Sequence, residues 1–444
     1  MYSMTPNRVR ATDVFGVSRE LPMNYVTRPA VDDEFVASLT RDKHVIVYGS
    51  SKQGKTSLRK YHLKPHEYQV VTCSNKQNLA QLHTAILKQA GFQIEMSRTR
   101  TETGNAKITA KATVKATLFG KGVEGGVEAS GDKGRSNSVA SKPLELDPSD
   151  VNEVIDALGS VGFDKWIVLE DFHYLPEATQ RDFAIALKAF HENSSLVFII
   201  VGVWLQQNRL VQFNGDLAGR VATVNADAWT REELQEAIER GEQHLNVRFA
   251  DSFVSALLDG SHDSIHVVQE SCLHACEAIG VNLRTEGTPP LIQGDAQQIL
   301  RGVVDAQSGR YSEFLSNFAG GFGETEFEMY KWLLLPVIMA TPNQLERGLS
   351  YRWLRKRIGR HHPRKPVNAG SVSQALKSVA SLQVKHGITP LVLDYDSALK
   401  KLNVVDRSFL IWLRQQDKEE LLEGIELSAA IIDEWEQAES EEEE

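Results

Sequence analysis

Gly49-Ser50-Ser51-Lys52-Gln53-Gly54-Lys55-Thr56 spells G-x-x-x-x-G-K-T, and Ser57 follows it. Those residue types at that spacing can hold a nucleotide's phosphates. Gly49 and Gly54 permit the turns that aim backbone N–H groups at an anion, and Lys55 reaches the β- and γ-phosphates. The Thr56 hydroxyl suits Mg²⁺, so the expected ligands are ATP and Mg²⁺. Such a loop works only on a rigid mount. An apolar run, Val45-Ile46-Val47-Tyr48, leads into it, and Thr56 to Lys60 opens a helix whose N-terminal dipole favours the same anion.

A magnesium carboxylate should stand at the end of another core strand. The stretch WIVLEDFHYL supplies one, with four apolar residues before Glu170 and Asp171. Together with the glycine-rich loop it resembles the P-loop ATPases of the AAA+ and STAND type. The resemblance implies that Glu170 holds the metal through water and that Asp171, with Lys55, serves the attack of water on the γ-phosphate. The two acids are swapped relative to the commonest AAA+ order, and the shorter Asp in the catalytic place implies slow, gated turnover.

The likeness covers residues 24–280, with specific motifs at two places. Tyr25, Val26 and Arg28 match an aromatic-x-x-Arg box whose backbone frames adenine; a plain N-terminal brace is the other reading. The strand-like LVFIIVGVWLQQNRL ends Gly202-Val203-Trp204 without the usual polar sensor, for which Gln206 could substitute. Arg220 stands where such proteins place an arginine finger acting on a neighbouring subunit, or it caps a helix C-terminus. His266 lies near the second sensor position and receives no role. No LSGGQ-like signature is present, against an ABC-type ATPase.

The elements around these residues follow from hydrophobic period. Short apolar runs alternate with helix-like segments over the first 230 residues, the pattern of a parallel sheet with crossover helices. Strands are predicted at 44–48, 68–73, 165–169 and 196–203, and helices after Gly54 and at 79–90, 150–159 and 180–193. Residues 95–147 interrupt this. Polar and apolar residues alternate from Lys107 to Leu118, as an exposed strand or hairpin would, before a Gly/Ser-rich loop. That insertion is either a surface hairpin or a partner-binding or pore-facing element, such as a dock for a separate effector protein. The fold expected is α/β: a parallel-sheet P-loop ATPase core (1–229), a helical lid (230–284), a linker and connecting helix (285–326), a winged helix (327–414) and an acidic tail (415–444).

The winged-helix reading rests on a resemblance in residues 327–414 and on charge. Arg347 to Leu393 contains no Asp or Glu but ten Lys and Arg. In that resemblance Ser371–His386 is the recognition helix, with Val372, Leu376, Val379 and Leu382 inward. Arg352, Arg355, Lys356, Arg357, Arg360, Arg364, Lys365 and Lys377 are the expected DNA or RNA contacts, with protein docking as the alternative. The net charge of −10 belongs to the tail, where residues 415–444 carry thirteen acids and one lysine. That tail either solvates the terminus or folds back on the basic window.

Three cysteines, no eighteen-residue apolar run and no apolar N-terminal signal core lead to the expectation of a cytoplasmic protein without a membrane span. The resemblance implies a self-assembling ATP switch that engages nucleic acid or a partner, similar to bacterial origin-recognition, transposition-regulating and antiphage-defence ATPases. The alternatives are a nucleotide-sensing transcription regulator and a scaffold for a separate effector enzyme.

Overall fold

The computed structural model of this chain describes residues 9–100, 106–112, 143–227, 229–323 and 327–443. Its strands up to the lid are β1 (His44–Tyr48), β2 (Tyr68–Thr72), β3 (Phe92–Arg100), β4 (Ala106–Ala112), β5 (Leu144–Leu146), β6 (Trp166–Glu170), β7 (Phe198–Val201) and β8 (Val221–Asn225). Five of them form one sheet in the order β2-β6-β7-β1-β8, and every neighbouring pair is parallel. The α/β fold expected from the sequence is present.

The strand period of two divides the core into two faces. Ile46, Leu169 and Ile200 point to one side, where Leu82, Val154 and Phe183 of the crossover helices cover them. Val45, Val47, Val168 and Ile199 point to the other, against Val31, Phe35 and Leu58. Both faces of β1 are therefore buried, which explains an unbroken apolar run instead of an alternating one. The carboxyl ends of β1, β6 and β7 meet at one edge, the usual place for a ligand in such sheets.

The insertion begins at Phe92, earlier than expected. β3 pairs antiparallel with β4, and β4 with β5. Phe92, Ile108, Ala110 and Leu146 are buried in the core cluster. The alternation through Ala112 thus marks a half-buried sheet packed on the core, not an exposed hairpin. The rest of the alternating run and the Gly/Ser-rich stretch fall outside the described residues.

Beyond β8 the chain is mostly helical. Arg231–Leu245, Asp251–Gly260 and Ile265–Ala278 follow, the first opened by the Thr230–Glu233 capping box. β9 (Arg248–Phe249) pairs in parallel with β10 (Leu291–Ile292), and helices Ala296–Asp305 and Ser308–Gly320 come next. The C-terminal module then runs helix Met329–Met339, short helix Pro342–Arg347, β11 (Leu349–Ser350), helix Tyr351–His361, helices Ala369–Lys377 and Val379–Lys385, β12 (Leu393–Asp396) and β13 (Lys401–Val404). These last three strands form one antiparallel sheet ordered β11-β13-β12. Val372, Leu376, Val379 and Leu382 are buried as expected, but Ser378 breaks the expected single helix in two. One apolar cluster runs without interruption from Phe15 through Leu234, Phe314 and Leu376 to Trp435. No described helix is long and apolar enough to cross a membrane.

The acidic C-terminus is built into this body. Helices Lys418–Gly424 and Ile431–Glu443 bury Leu422, Ile425 and Trp435. Trp435 is 1% exposed, its ring 5.5 Å from His361 and 5.8 Å from Trp353, with the Arg357 guanidinium 4.8 Å above it. Glu434 lies 3.4 Å from His361. Trp435→Ala should undock this last helix at a cost of about 3 kcal/mol. Hydrogen exchange should accelerate across Ile431–Glu443 and stay slow in β1; unchanged protection of the helix would refute the anchoring role.

Candidate functional site

The glycine-rich loop follows β1, and its backbone takes the turns the motif requires. Gly49 adopts φ +142° and Gly54 φ +83°, and a Cβ on Gly49 would lie 3.1 Å from the Asp227 amide and carboxylate. Gly54 is the N-cap of helix Lys55–His62 and brings no side chain to satisfy the first-turn N–H groups. Lys55 is buried, and its ammonium turns back onto the carbonyl oxygens of Gly49, at 3.1 Å, and Ser50. Burial pushes its pKa down to about 8, against weaker pulls upward from Asp227, Glu170 and Asp171. Uncapped amides beside a buried lysine held only by its own loop fit a polyphosphate.

A cavity of about 310 Å³ opens over this loop. Ser51, Lys52, Gln53, Gly54, Lys55, Thr56 and Ser57 line it, so the middle and end of the motif face one space. Ser50 instead anchors the loop: its N–H donates to Asp227 at 2.8 Å and its hydroxyl at 2.7 Å. Across the cavity stand Glu170 and Asp171, at the end of β6 as the sequence reading required. Asp171 takes a left-handed φ of +60°, and burial raises its pKa, with Lys55 opposing.

Glu170 is less bare than expected. Arg59, one turn into the helix after the loop, reaches its Oε1 from Nε and Nη2 at 3.1 Å each. Both contacts use one oxygen, so Oε2 remains to meet a metal. Burial raises the Glu170 pKa and Arg59 lowers it. Thr56 is exposed on the cavity wall, and the pair Thr56 and Glu170 fits a divalent cation bound partly through water.

The expected adenine frame requires correction. Tyr25, Val26 and Arg28 are absent from the cavity wall because all three are committed to packing. Tyr25 donates to Asp32 at 2.6 Å and stacks on Tyr61 at 4.4 Å. Val26 joins the lid cluster. Arg28, 1% exposed, donates to the Ala226 carbonyl at 2.8 Å and lies 3.9 Å over Trp229. Trp229 in turn donates to the Gln53 carbonyl at 3.3 Å, so Arg28 braces the loop from beneath. The wall is made instead by Gly16–Pro22 and by Ile265, His266 and Gln269 of the lid helix. Sequence reading missed the first of these segments; its only signal was Gly16, whose φ of +88° lets the chain press against Leu273.

Two histidines were also missed or left without a role. His173 is 4% exposed, and its Nδ1 accepts the Val203 N–H at 3.2 Å. Its proton therefore sits on Nε2, a buried donor with no hydrogen-bond partner on the cavity wall. His266 accepts from the Lys52 ammonium at 3.0 Å, and burial, helped by Lys52 and Arg310, pushes its pKa down to about 3. Gln206 does not reach this cavity: it lines a separate cleft. Arg220 stands at the other end of the sheet, where its carbonyl accepts the His44 N–H at 3.0 Å. That is a strand's length, ~16 Å, from its own loop. Its guanidinium holds Glu192 at 2.8 Å and the Asp216 carbonyl.

The loop has one further partner. The Ser51 N–H donates to the Val405 carbonyl at 2.9 Å, so the C-terminal module touches the phosphate loop directly. Asp406 binds Arg310 and, at 3.2 Å, the Tyr311 hydroxyl, while Arg407 approaches Asp227 at 3.8 Å. Lys52 reaches Gln307 at 3.5 Å. Lid, connecting helix and module thus converge on Ser51 and Lys52.

Within the module, Arg352, Arg355, Lys356, Arg360, Arg364, Lys365 and Lys377 are exposed. Arg357 is not; it is 3% exposed beneath Trp435, which removes it from the nucleic-acid contacts. Lys377 points to a different surface from the rest, the cleft facing the core.

No known family profile matches this sequence, and no curated protein does. Among solved structures the chain is similar to the Aeropyrum pernix ORC1 protein in complex with DNA, at 12% identity and a TM-score of 0.43, covering 93% of this chain and 96% of that one. It is similar to the Aeropyrum pernix ORC2 protein at 14% identity and a TM-score of 0.41, with 91% of each chain covered. The Walker-type ATPase PABY2304 of Pyrococcus abyssi matches at 10% identity and a TM-score of 0.48, over 90% of this chain and 99% of that one.

Proposed function

We propose that this chain is an ATP-binding and slowly hydrolysing switch of the AAA+/STAND type. Its C-terminal module, read as a winged helix, clasps the phosphate loop, so that nucleotide state governs nucleic-acid engagement and self-assembly. The observation that carries this reading is the Ser51 N–H held by the Val405 carbonyl. A backbone donor of the loop that grips phosphates is claimed by the module that would engage a partner. Filling the site and releasing the module then become one event.

Lys55 supplies the buried cation for the β- and γ-phosphates and leaves the Gly49 and Ser50 carbonyls to do so. Thr56 and Glu170 Oε2 would hold Mg²⁺, which would supply neutralising charge to the phosphates. Asp171, across the cavity from the loop, orients the attacking water. Arg220, remote from its own loop, serves the site of a neighbouring copy of the chain. The helix, strand, helix, broken helix and hairpin of residues 329–404 support the winged-helix reading.

The test is ATP turnover by purified protein beside Asp171→Ala, with the mass of each measured in solution. The variant should bind ATP within about threefold of the parent, lose about 100-fold or more in phosphate release, and persist as an ATP-bound assembly. Equal turnover would remove Asp171 from the chemistry. A parent that releases no phosphate under any condition would leave a binding-only sensor.

A further inference from the structure

A second cavity, about 860 Å³, lies between the core and the C-terminal module. Ser373, Lys377, Ser381 and Lys385 of the broken helix form one wall, with Tyr395 and Lys400 of the hairpin. Opposite stand Arg181, Arg209 and Phe213 of the core. Much of the polar side of the expected recognition helix therefore looks into a cleft that the core partly covers. A duplex would need that side clear, because its two phosphate backbones flank any helix seated in the roughly 12 Å major groove. An unpaired strand needs only a slot with stacking faces, base-reading amides and a few cations.

The cleft offers each of these. Tyr174, Tyr351 and Tyr395 bring aromatic faces to its wall. Arg209 is neutralised by Asp394 at 3.0 Å and Arg181 by Glu177 at 2.6 Å. Lys377 and Lys400 make no ion pair among the described residues, so the cleft keeps net positive charge. Its floor also holds orphaned polar atoms of both kinds. Gln206 Nε2 and His173 Nε2 are donors without partners, and Gln180 Oε1 is an acceptor without one; all three side chains are at most 7% exposed. Each such atom carries the cost of lost hydration while unmet. Phosphate alone would satisfy the donors but not the acceptor, whereas a nucleobase edge presents both donors and acceptors.

We infer that this cleft binds a short unpaired stretch of nucleic acid. Gln180, Gln206 and His173 meet base edges there, while Lys377 and Lys400 hold phosphates. The inference rests on the reading above that the chain engages nucleic acid, and it narrows that reading to single strands. His173 and Tyr174 lie two and three residues after Asp171 and line this cleft, and His173 also lines the nucleotide cavity. A strand in the cleft is therefore in contact with the loop that carries Asp171.

Fluorescence anisotropy of the full-length protein tests this, with labelled short oligo(dT), oligo(U) and a blunt hairpin duplex at one salt concentration. Either single strand, or both, should bind at least about tenfold tighter than the duplex, and the two arms separate DNA from RNA. Exposed Lys377 and Lys400 can be changed without risk to the core, and Lys377→Ala/Lys400→Ala should weaken binding by about tenfold or more. Arg352→Ala/Arg355→Ala, on another surface, should stay within about twofold. Tighter duplex binding that depends on Arg352 and Arg355 would overturn the cleft while leaving nucleic-acid engagement standing. Failure of all three probes to bind would overturn both.

Discussion

Lys55→Ala should abolish measurable ATP binding, with affinity falling by about 100-fold or more. The ammonium is the buried cation of the loop, and its hydrogen-bond partners among the described residues are two loop carbonyls, so alanine leaves the loop without a buried cation for the phosphates. The same change should not unfold the protein. Burial holds the Lys55 pKa at about 8, below its ordinary 10.5. Between those values the unfolded chain binds more protons than the folded one, so this group makes stability rise with pH across that window. Below pH 8 the folded protein carries the full cost of the buried charge, and alanine removes it. The expected pair of results is an unlowered melting temperature without nucleotide and no upward shift when ATP is added. In the parent, ATP affinity should fall as pH rises past about 8, because the empty site then releases the proton the phosphates need. Retained affinity in the variant, or a flat pH profile in the parent, would count against the site.

Asp406→Ala should open the clasp. Asp406 is 3% exposed, receives Arg310 and the Tyr311 hydroxyl, and caps helix Arg407–Leu413 through the Ser408 N–H at 3.1 Å. Removing it strands a half-buried guanidinium, costing about 3–5 kcal/mol, and deletes a helix cap worth about 1 kcal/mol. Because Val405 precedes it, the loosened joint should release the Ser51 N–H. Nucleotide should then dissociate at least about tenfold faster, seen with a fluorescent analogue by stopped flow. Asp406→Asn keeps the cap and one acceptor and should fall between the two. If Asp406→Ala lowers the melting temperature yet leaves the dissociation rate alone, the module braces the fold without gating the site.

Much of the core was legible because its signals are local. A strand buried on both faces must be apolar through its middle, as β1 is at Val45, Ile46 and Val47, β6 at Ile167, Val168 and Leu169, and β7 along its length. The phosphate loop needs glycines where φ is positive, and Glu170 and Asp171 follow an apolar strand in the same way. The rest of the cavity wall was not legible: Gly16, Val17, Ser18, Glu20 and Pro22, with Ile265, His266 and Gln269, carry no composition that distinguishes them from other loop and helix. Tyr25 and Arg28 carried a motif-like pattern, yet burial turned both into braces. The alternation after Lys107 fitted a solvent-facing hairpin as well as a half-buried sheet, and only packing against the core distinguished them.

Residue types and spacing alone determined that a glycine-rich loop sits between a buried strand and a helix, with two acids at the end of another strand. They did so because backbone turns and hydrophobic period act over a few residues. Tertiary structure alone decided that Val405 holds the Ser51 N–H, that Arg59 shares Glu170, that Trp435 covers Arg357, and that Lys377 faces the core. Those pairs are far apart in sequence, from Arg357 and Trp435 to Ser51 and Val405, and their contact depends on how whole helices pack, which no short window of sequence encodes.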